Sequence, residues 1–228
     1  LCATLNEAIE WMEGEFFSAL ASDDIALTSK ISFSINKFVK ADLDVVFGVA
    51  EKFGSEVSLV ASLNSNINHD FIDIILQKNI PQAPTAVIRL SSLRAVGCFD
   101  SSLILEDWYL WLKMLDYGFS LVTYPVVTAR YRRHVGNTTN DILKMHHGRK
   151  QVLKLFYNNE YYKVAMDNEY KLHALRLADS KVIAPIVCLI RLRKFDLMTA
   201  YTLLKVFTPR FLIIYTRRFR SLRAVFNN

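Results

Sequence analysis

The stretch Val96–Pro125, VGCFDSSLILEDWYLWLKMLDYGFSLVTYP, decides the fold. Within it Trp108, Trp111, Leu112 and Leu115 fall at i, i+3, i+4 and i+7, one face of a helix from Leu105 to Tyr117. Gly118 follows where helices commonly end on a residue of positive φ. Phe119–Tyr124 and Val126–Tyr131 then read as strands around Pro125. The same alternation holds upstream. Thr4–Met12 has a helical apolar face and Gly14 ends it. Glu15–Leu20 reads as a buried strand, Ser29–Lys40 as a helix and Asp44–Ala50 as a buried strand. Glu51–Asn68 is polar and reads as a hairpin or loop. His69–Lys78 is helical and Thr85–Leu90 a strand, with Ser91 capping a short helix that ends at Gly97. Strands alternating with helices indicate an α/β domain. From Asp141 onward the pattern is helical to the end. The sequence therefore divides into an α/β body, residues 1–140, and a helical region, residues 141–228.

Composition supports a packed body, with 52% hydrophobic and 12% aromatic residues in 228. The formal charge of +6 is unevenly spread. From Lys181 onward ten basic residues face one acid, Asp196, which gives the tail +9 and the remainder −3. A basic tail on an acidic body suits an anionic membrane face or a nucleic acid. The tail's aromatic residues alternate with aliphatic ones as on a buried helix face and are not set out for base stacking, which argues against nucleic acid. Cys2, Cys98 and Cys188 are too few and too scattered for a disulfide framework or a zinc site, which fits a reducing compartment. No apolar run reaches the roughly 18 residues of a spanning helix. The chain opens on Leu1 without a signal peptide, and we read this as a cut point.

Three constellations carry chemistry. Ser22-Asp23-Asp24 follows a buried strand, where open α/β sheets bind ligands, and paired carboxylates suit Mg²⁺ or Mn²⁺. The ordinary alternative is a pair of helix-start acids. Glu106-Asp107 opens the Trp-rich helix, whose dipole favours ionised carboxylates. A carboxylate there can take a proton from a sugar hydroxyl, a contribution of ~10² to 10⁴ in rate; ordinary first-turn acids are the alternative. Tyr131-Arg132-Arg133-His134 ends a strand, with an imidazole able to bind a divalent metal and arginines able to hold phosphate. His146 and His147 have no acidic neighbours in sequence and read as solvated.

In combination the three form a specific order. GEFFSALASDDIALTSKI (residues 14–31) resembles the Gly-Glu strand and DxD-type motif of the family 2, GT-A-type glycosyltransferases. The Val96–Pro125 stretch resembles their Gly-x-Phe-Asp segment and ED(W/Y) motif. ARYRRHVGNTT (residues 129–139) resembles their Tyr-Arg-x-His-x-x-Asn ending. The resemblance covers about residues 5 to 140. It implies a Rossmann-like mixed sheet and a metal-dependent, inverting enzyme that acts on a nucleotide sugar. Asp24 would bind the metal, Mn²⁺ or Mg²⁺, on the donor diphosphate, and His134 would complete its ligands. Asp23 would face the donor's ribose or sugar, and Arg132 would help hold the donor. Asp107 would be the catalytic base and Glu106 would position acceptor or donor sugar.

Two departures stand out. Ala21 replaces the first acid of the family's usual DxDD form. The family's opening strand, its Pro/Tyr/Asn-like turn and its base-binding acid do not precede Leu1, so we expect the sheet to be incomplete at its N-terminal side and this chain by itself to be inactive. The alternative is a non-catalytic binding or scaffold subunit that kept the fold. The acceptor implied by the family is a saccharide or lipid-linked saccharide of polysaccharide assembly. The basic tail would then sit peripherally on the inner face of the cytoplasmic membrane.

Overall fold

In the computed structural model, which describes residues 1–55, 65–78, 80–177 and 196–207, the chain forms two units, Leu1–Tyr162 and Lys163–Asn228. The first is built on the two long apolar strands. These are β3 (Val45–Gly54) and β6 (Leu121–Arg133), paired in parallel from Val45↔Leu121 to Gly54↔Arg133. Beside β3 lies β5 (Val87–Arg89), antiparallel, and beside β5 lies β1 (Phe16–Phe17), also antiparallel. The far side of β6 takes two short antiparallel partners at different heights. One is β4 (Ile67–Asn68), against Val122 and Thr123; the other is β2 (Ile25–Ala26), against Ala129 and Arg130. The strand order is β1-β5-β3-β6-β2. This is the mixed sheet expected from the sequence, with one parallel pair at its centre.

Helices cover the sheet because its strands are apolar on both faces. On one face Val46, Val87 and Val122 form a cluster with Leu43 and with Phe38 of α2 (Lys30–Lys40). On the other, Phe47 meets Trp111 edge to face at 4.9 Å between ring centroids. Trp111 belongs to α5 (Glu106–Asp116), and Trp108 of the same helix donates its indole N–H to the Ile74 carbonyl at 3.0 Å, in α3 (Phe71–Ile75). The tryptophans are thus core residues first. Gly118 ends α5 at φ +82, as its position implied. α1 (Cys2–Trp11) is tied down by Arg94, which donates to the carbonyls of Ile9 and Met12. α4 (Leu90–Ala95) follows β5, and α6 (Ile142–Leu155) closes the unit, capped by Asp141, which accepts the Lys144 N–H.

Four local readings need correction. Pro125 does not separate two strands. It lies inside β6, in the gap where Phe47↔Thr123 gives way to Val49↔Val127, so its missing N–H leaves no ladder bond unmade. Ser91 is not a cap, since α4 starts one residue earlier and Leu90 N–H is satisfied by the Glu15 carbonyl. Glu51–Gly54 is strand and not loop, because β6 continues to pair with it; residues 56–64 of the same polar segment lie outside the described residues. The strand at Glu15–Leu20 contracts to two residues, as β5 offers it only Ile88 and Arg89.

In the second unit the described elements are α7 (Tyr162–Leu177) and α8 (Leu197–Phe207). Asp196 caps α8 by accepting the Thr199 N–H and O–H, and it pairs with Lys171. Those bonds, the lysine's first, hold its carboxyl down at about 2. No helix among the described residues is long and apolar enough to cross a membrane. The rest of the basic tail, residues 178–195 and 208–228, lies outside them.

Candidate functional site

A cavity of about 450 Å³ opens beside the C-terminal ends of β3 and β6, where Ala50, Lys52 and Tyr131 line it. That is where α/β sheets of this kind bind ligands. Asp24, Glu106 and Asp107 line the same cavity. The chain brings them there by two separate devices. After β1 it passes Ala19 and Leu20 and turns at Ala21, whose carbonyl accepts the Asp24 N–H at 3.1 Å. The turn leaves Asp24 only 9% exposed. Its Oδ1 accepts the Arg132 N–H at 2.9 Å, from the end of β6. Glu106 and Asp107 arrive at the start of α5, whose packing on Phe47 and Ile74 fixes the helix end against the sheet.

Burial shapes the electrostatics of all three acids. It pushes the Asp24 carboxyl up, against the partly offsetting Arg132 N–H bond. It pushes Glu106 up as well, with the nearby Asp107 charge adding to the effect. Asp107 is pushed up by burial, although it accepts the Trp108 N–H at 2.7 Å. The helix-dipole expectation from the sequence is therefore overridden at this position. Desolvation in the cavity outweighs the first-turn amides and makes Asp107 a stronger base than an exposed carboxylate.

Asp23, Arg132 and His134 do not line the cavity; they bind one another beside Asp24. His134 Nε2 lies 3.0 Å from Asp23 Oδ2, and Arg132 Nε donates to the Asp23 carbonyl at 2.9 Å. The structure thus pairs His134 with Asp23 rather than with Asp24. Among the described residues no group of three or more His, Cys, Asp or Glu is arranged to hold a metal ion. The carboxylates of Asp23 and Asp24 are hard oxygen donors and suit Mg²⁺ or Mn²⁺. His134, with its outer nitrogen turned to a carboxylate, does not suit one in this arrangement.

One wall of the cavity was missed from the sequence. Pro81, Gln82, Ala83, Pro84 and Ala86 line it around a short 3₁₀ turn, Ala83–Thr85. Three other segments anchor it. Ala50 N–H donates to Gln82 Oε1 at 2.6 Å, Lys30 Nζ to the Pro84 carbonyl at 2.8 Å, and Ser18 Oγ to the Ala86 carbonyl at 2.8 Å. Lys30 is 2% exposed, and burial lowers its ammonium to about 8. The Pro-Gln-Ala-Pro run was the available signal, since two prolines three apart stiffen a loop. Nothing in an amphipathic helix marks one lysine as buried.

No protein-family model matches this sequence, and no curated protein does. Solved structures do share its fold. S. aureus TarS, a glycosyltransferase, matches with a TM-score of 0.55 at 13% identity, over 82% of this chain and 36% of that one. A crystal structure of TarS 1-349 in complex with UDP-GlcNAc matches with a TM-score of 0.50 at 14% identity, over 88% of this chain and 67% of that one. The mixed α/β architecture is thus similar to that of these structures and consistent with a GT-A-like fold.

Proposed function

We propose that this chain carries the donor-diphosphate and catalytic-base part of a metal-dependent family 2 glycosyltransferase. The reaction is a single inverting displacement, from a nucleoside-diphosphate sugar to a saccharide or lipid-linked saccharide. One observation carries the reading. Asp24, from the turn after β1, and Glu106 and Asp107, from the start of α5, line one cavity at the C-terminal ends of the central strands. The TarS structure with UDP-GlcNAc, which shares the fold, supports a nucleotide sugar as donor.

In this reading Asp107 removes the acceptor hydroxyl's proton as its oxygen attacks the anomeric carbon. The bond from that carbon to the diphosphate oxygen breaks, and its electron pair leaves with the nucleoside diphosphate. Burial supports the role, since it raises the carboxyl's affinity for the proton it must take. Glu106 holds a sugar hydroxyl beside it. Lys52 brings positive charge to the same lining. A divalent ion held by the Asp24 carboxylate would offset the charge of the leaving diphosphate, with Asp23 facing the donor's ribose or sugar. Calorimetry with UDP-GlcNAc and Mn²⁺ on the full-length protein tests this. Asp24→Asn should lose about tenfold or more of the Mn²⁺-dependent affinity, and an unchanged affinity would remove Asp24 from the donor site.

The location follows from the tail. A charge of +9 from Lys181 onward suits peripheral attachment to an anionic membrane face, at about 1 kcal/mol per basic residue near the surface. Flotation with anionic liposomes tests it. Binding that survives deletion of residues 181–228 would show that the tail is not the anchor.

A further inference from the structure

We propose that His134 is a clasp on Asp23 and not a metal ligand, and that through it the end of β6 orients the acidic pair. The inference rests on the glycosyl-transfer reading only in calling those acids donor-binding. Its geometric part stands apart from it.

An imidazole has two nitrogens, and in the neutral ring one donates while the other accepts. His134 Nδ1 lies 3.1 Å from the Gly136 nitrogen, whose N–H points at it. Nδ1 is therefore the acceptor and the ring proton sits on Nε2. Nε2 lies 3.0 Å from Asp23 Oδ2, and an ionised carboxylate can only accept. The two contacts require the same tautomer. Metal ligation through Nε2 requires the other one, with the proton on Nδ1. That proton would face the Gly136 N–H, leaving two donors in opposition and neither satisfied.

The segment that sets this arrangement is held by its own side chains. His134 N–H donates to Asn137 Oδ1 at 2.6 Å, and Asn137 Nδ2 donates back to the Arg132 carbonyl at 3.2 Å. Asn140 Nδ2 donates to the carbonyls of His134 and Val135, at 3.0 and 3.1 Å. The Arg133 guanidinium reaches Thr139 Oγ1 at 2.8 Å and Asn140 Oδ1 at 2.9 Å. Gly136 fits the plan, because a Cβ there would stand 3.2 Å from His134 Nδ1. Arg132 completes the grip, its N–H on Asp24 Oδ1 and its Nε on the Asp23 carbonyl. Three bonds from the end of β6 thus fix two consecutive acids, and His134 supplies the one that orients the Asp23 carboxylate. A partner that orients a binding side chain from behind is typically worth about 10- to 100-fold in affinity or activity.

Nitrogen-15 shifts of the histidine rings decide the geometric part. They are recorded on the full-length protein at pH 8.5, about two units above the ordinary histidine value of ~6.5, with and without Mg²⁺. We expect the His134 ring in the Nε2–H form, and still so with Mg²⁺. In parallel, His134→Ala should keep Mn²⁺ affinity within about threefold while raising the KM for UDP-GlcNAc about tenfold. His134→Gln, whose amide N–H can donate to Asp23, should restore most of that loss. A ring in the Nδ1–H form, or a tenfold loss of Mn²⁺ affinity in His134→Ala that Gln does not rescue, would overturn the proposal. Failure of the wild-type protein to bind UDP-GlcNAc would count against that sugar nucleotide as donor; the ring shifts would still decide the clasp.

Discussion

Gly48 is a position in the central sheet where one added carbon should matter. β6 folds over it where the parallel ladder slips. A Cβ at residue 48 would lie 2.3 Å from Thr128 Oγ1, 2.5 Å from Thr128 Cγ2 and 2.6 Å from the Val126 carbonyl oxygen. Ordinary contact begins near 3.4 Å, so Gly48→Ala forces the strands apart by about 1 Å. Overpacking of this kind costs about 1–3 kcal/mol. Alanine recovers about 0.4–1 kcal/mol by restricting the unfolded chain. The net loss of about 1–2 kcal/mol lowers Tm by about 2–8 °C, at roughly 2–4 °C per kcal/mol for a chain of this size. Thr128→Ala removes two of the three close contacts. It deletes a buried hydroxyl that has no hydrogen-bond partner among the described residues, so it should cost little alone. Thermal unfolding of the two single variants and the double closes the cycle, and the double should recover at least half of the loss. Because β3 carries Ala50 and Lys52 into the cavity, UDP-GlcNAc affinity should fall in Gly48→Ala as well. A Gly48→Ala protein as stable as wild type, or a double no better than Gly48→Ala, would refute the close approach of the two strands.

Two further substitutions read the buried charges through stability. The Lys30 ammonium is lowered from 10.5 to about 8, so the folded state holds its proton less tightly than the unfolded state. The cost is full below about pH 8 and fades as pH rises towards 10.5. Wild type should therefore gain on Lys30→Met across that window, by something of the order of 3 kcal/mol; parallel unfolding curves from pH 7 to 10.5 would show Lys30 to be solvated. Asp107 has the opposite charge and a raised value. Its cost is absent below the unfolded carboxylate value and develops as pH rises through the folded one. Asp107→Asn should then match wild type near pH 3.5 and exceed it at pH 8, by about 0.5–2 kcal/mol, and a variant less stable at pH 8 would contradict the burial argument.

How much of this was legible depended on whether a residue's role is local. The period of Trp108, Trp111 and Leu112 and the stop at Gly118 are local, and α5 runs Glu106–Asp116, one residue inside each end of the Leu105–Tyr117 reading. The apolar runs that became β3 and β6 were also visible. Strand limits were less so, because they depend on partners far along the chain. β6 runs straight through Pro125 only because β3 pairs with it on both sides of that residue, and Ser91 loses its cap role to a bond between Leu90 and Glu15. At the site, Asp24, Glu106 and Asp107 stood out as acids at element ends, and they share a cavity. His134 stood out too, but its partner depended on a contact with Gly136 that residue types alone do not reveal. The wall at Pro81–Ala86 and the lysine beneath it were not legible, since burial of a single Lys in an amphipathic helix is set by tertiary packing.

The central claim is that Asp107 is the base of a sugar transfer whose donor is held beside Asp24. Rapid-quench, single-turnover transfer from UDP-GlcNAc by the full-length protein tests it most directly, with wild type and Asp107→Asn compared at saturating donor and a saccharide acceptor. We expect the chemical step in Asp107→Asn to slow by about 10² to 10⁴, while donor affinity stays within about threefold of wild type, a loss confined to the transition state. A chemical step within about threefold of wild type, with donor binding intact, would contradict the assignment of Asp107 as the base.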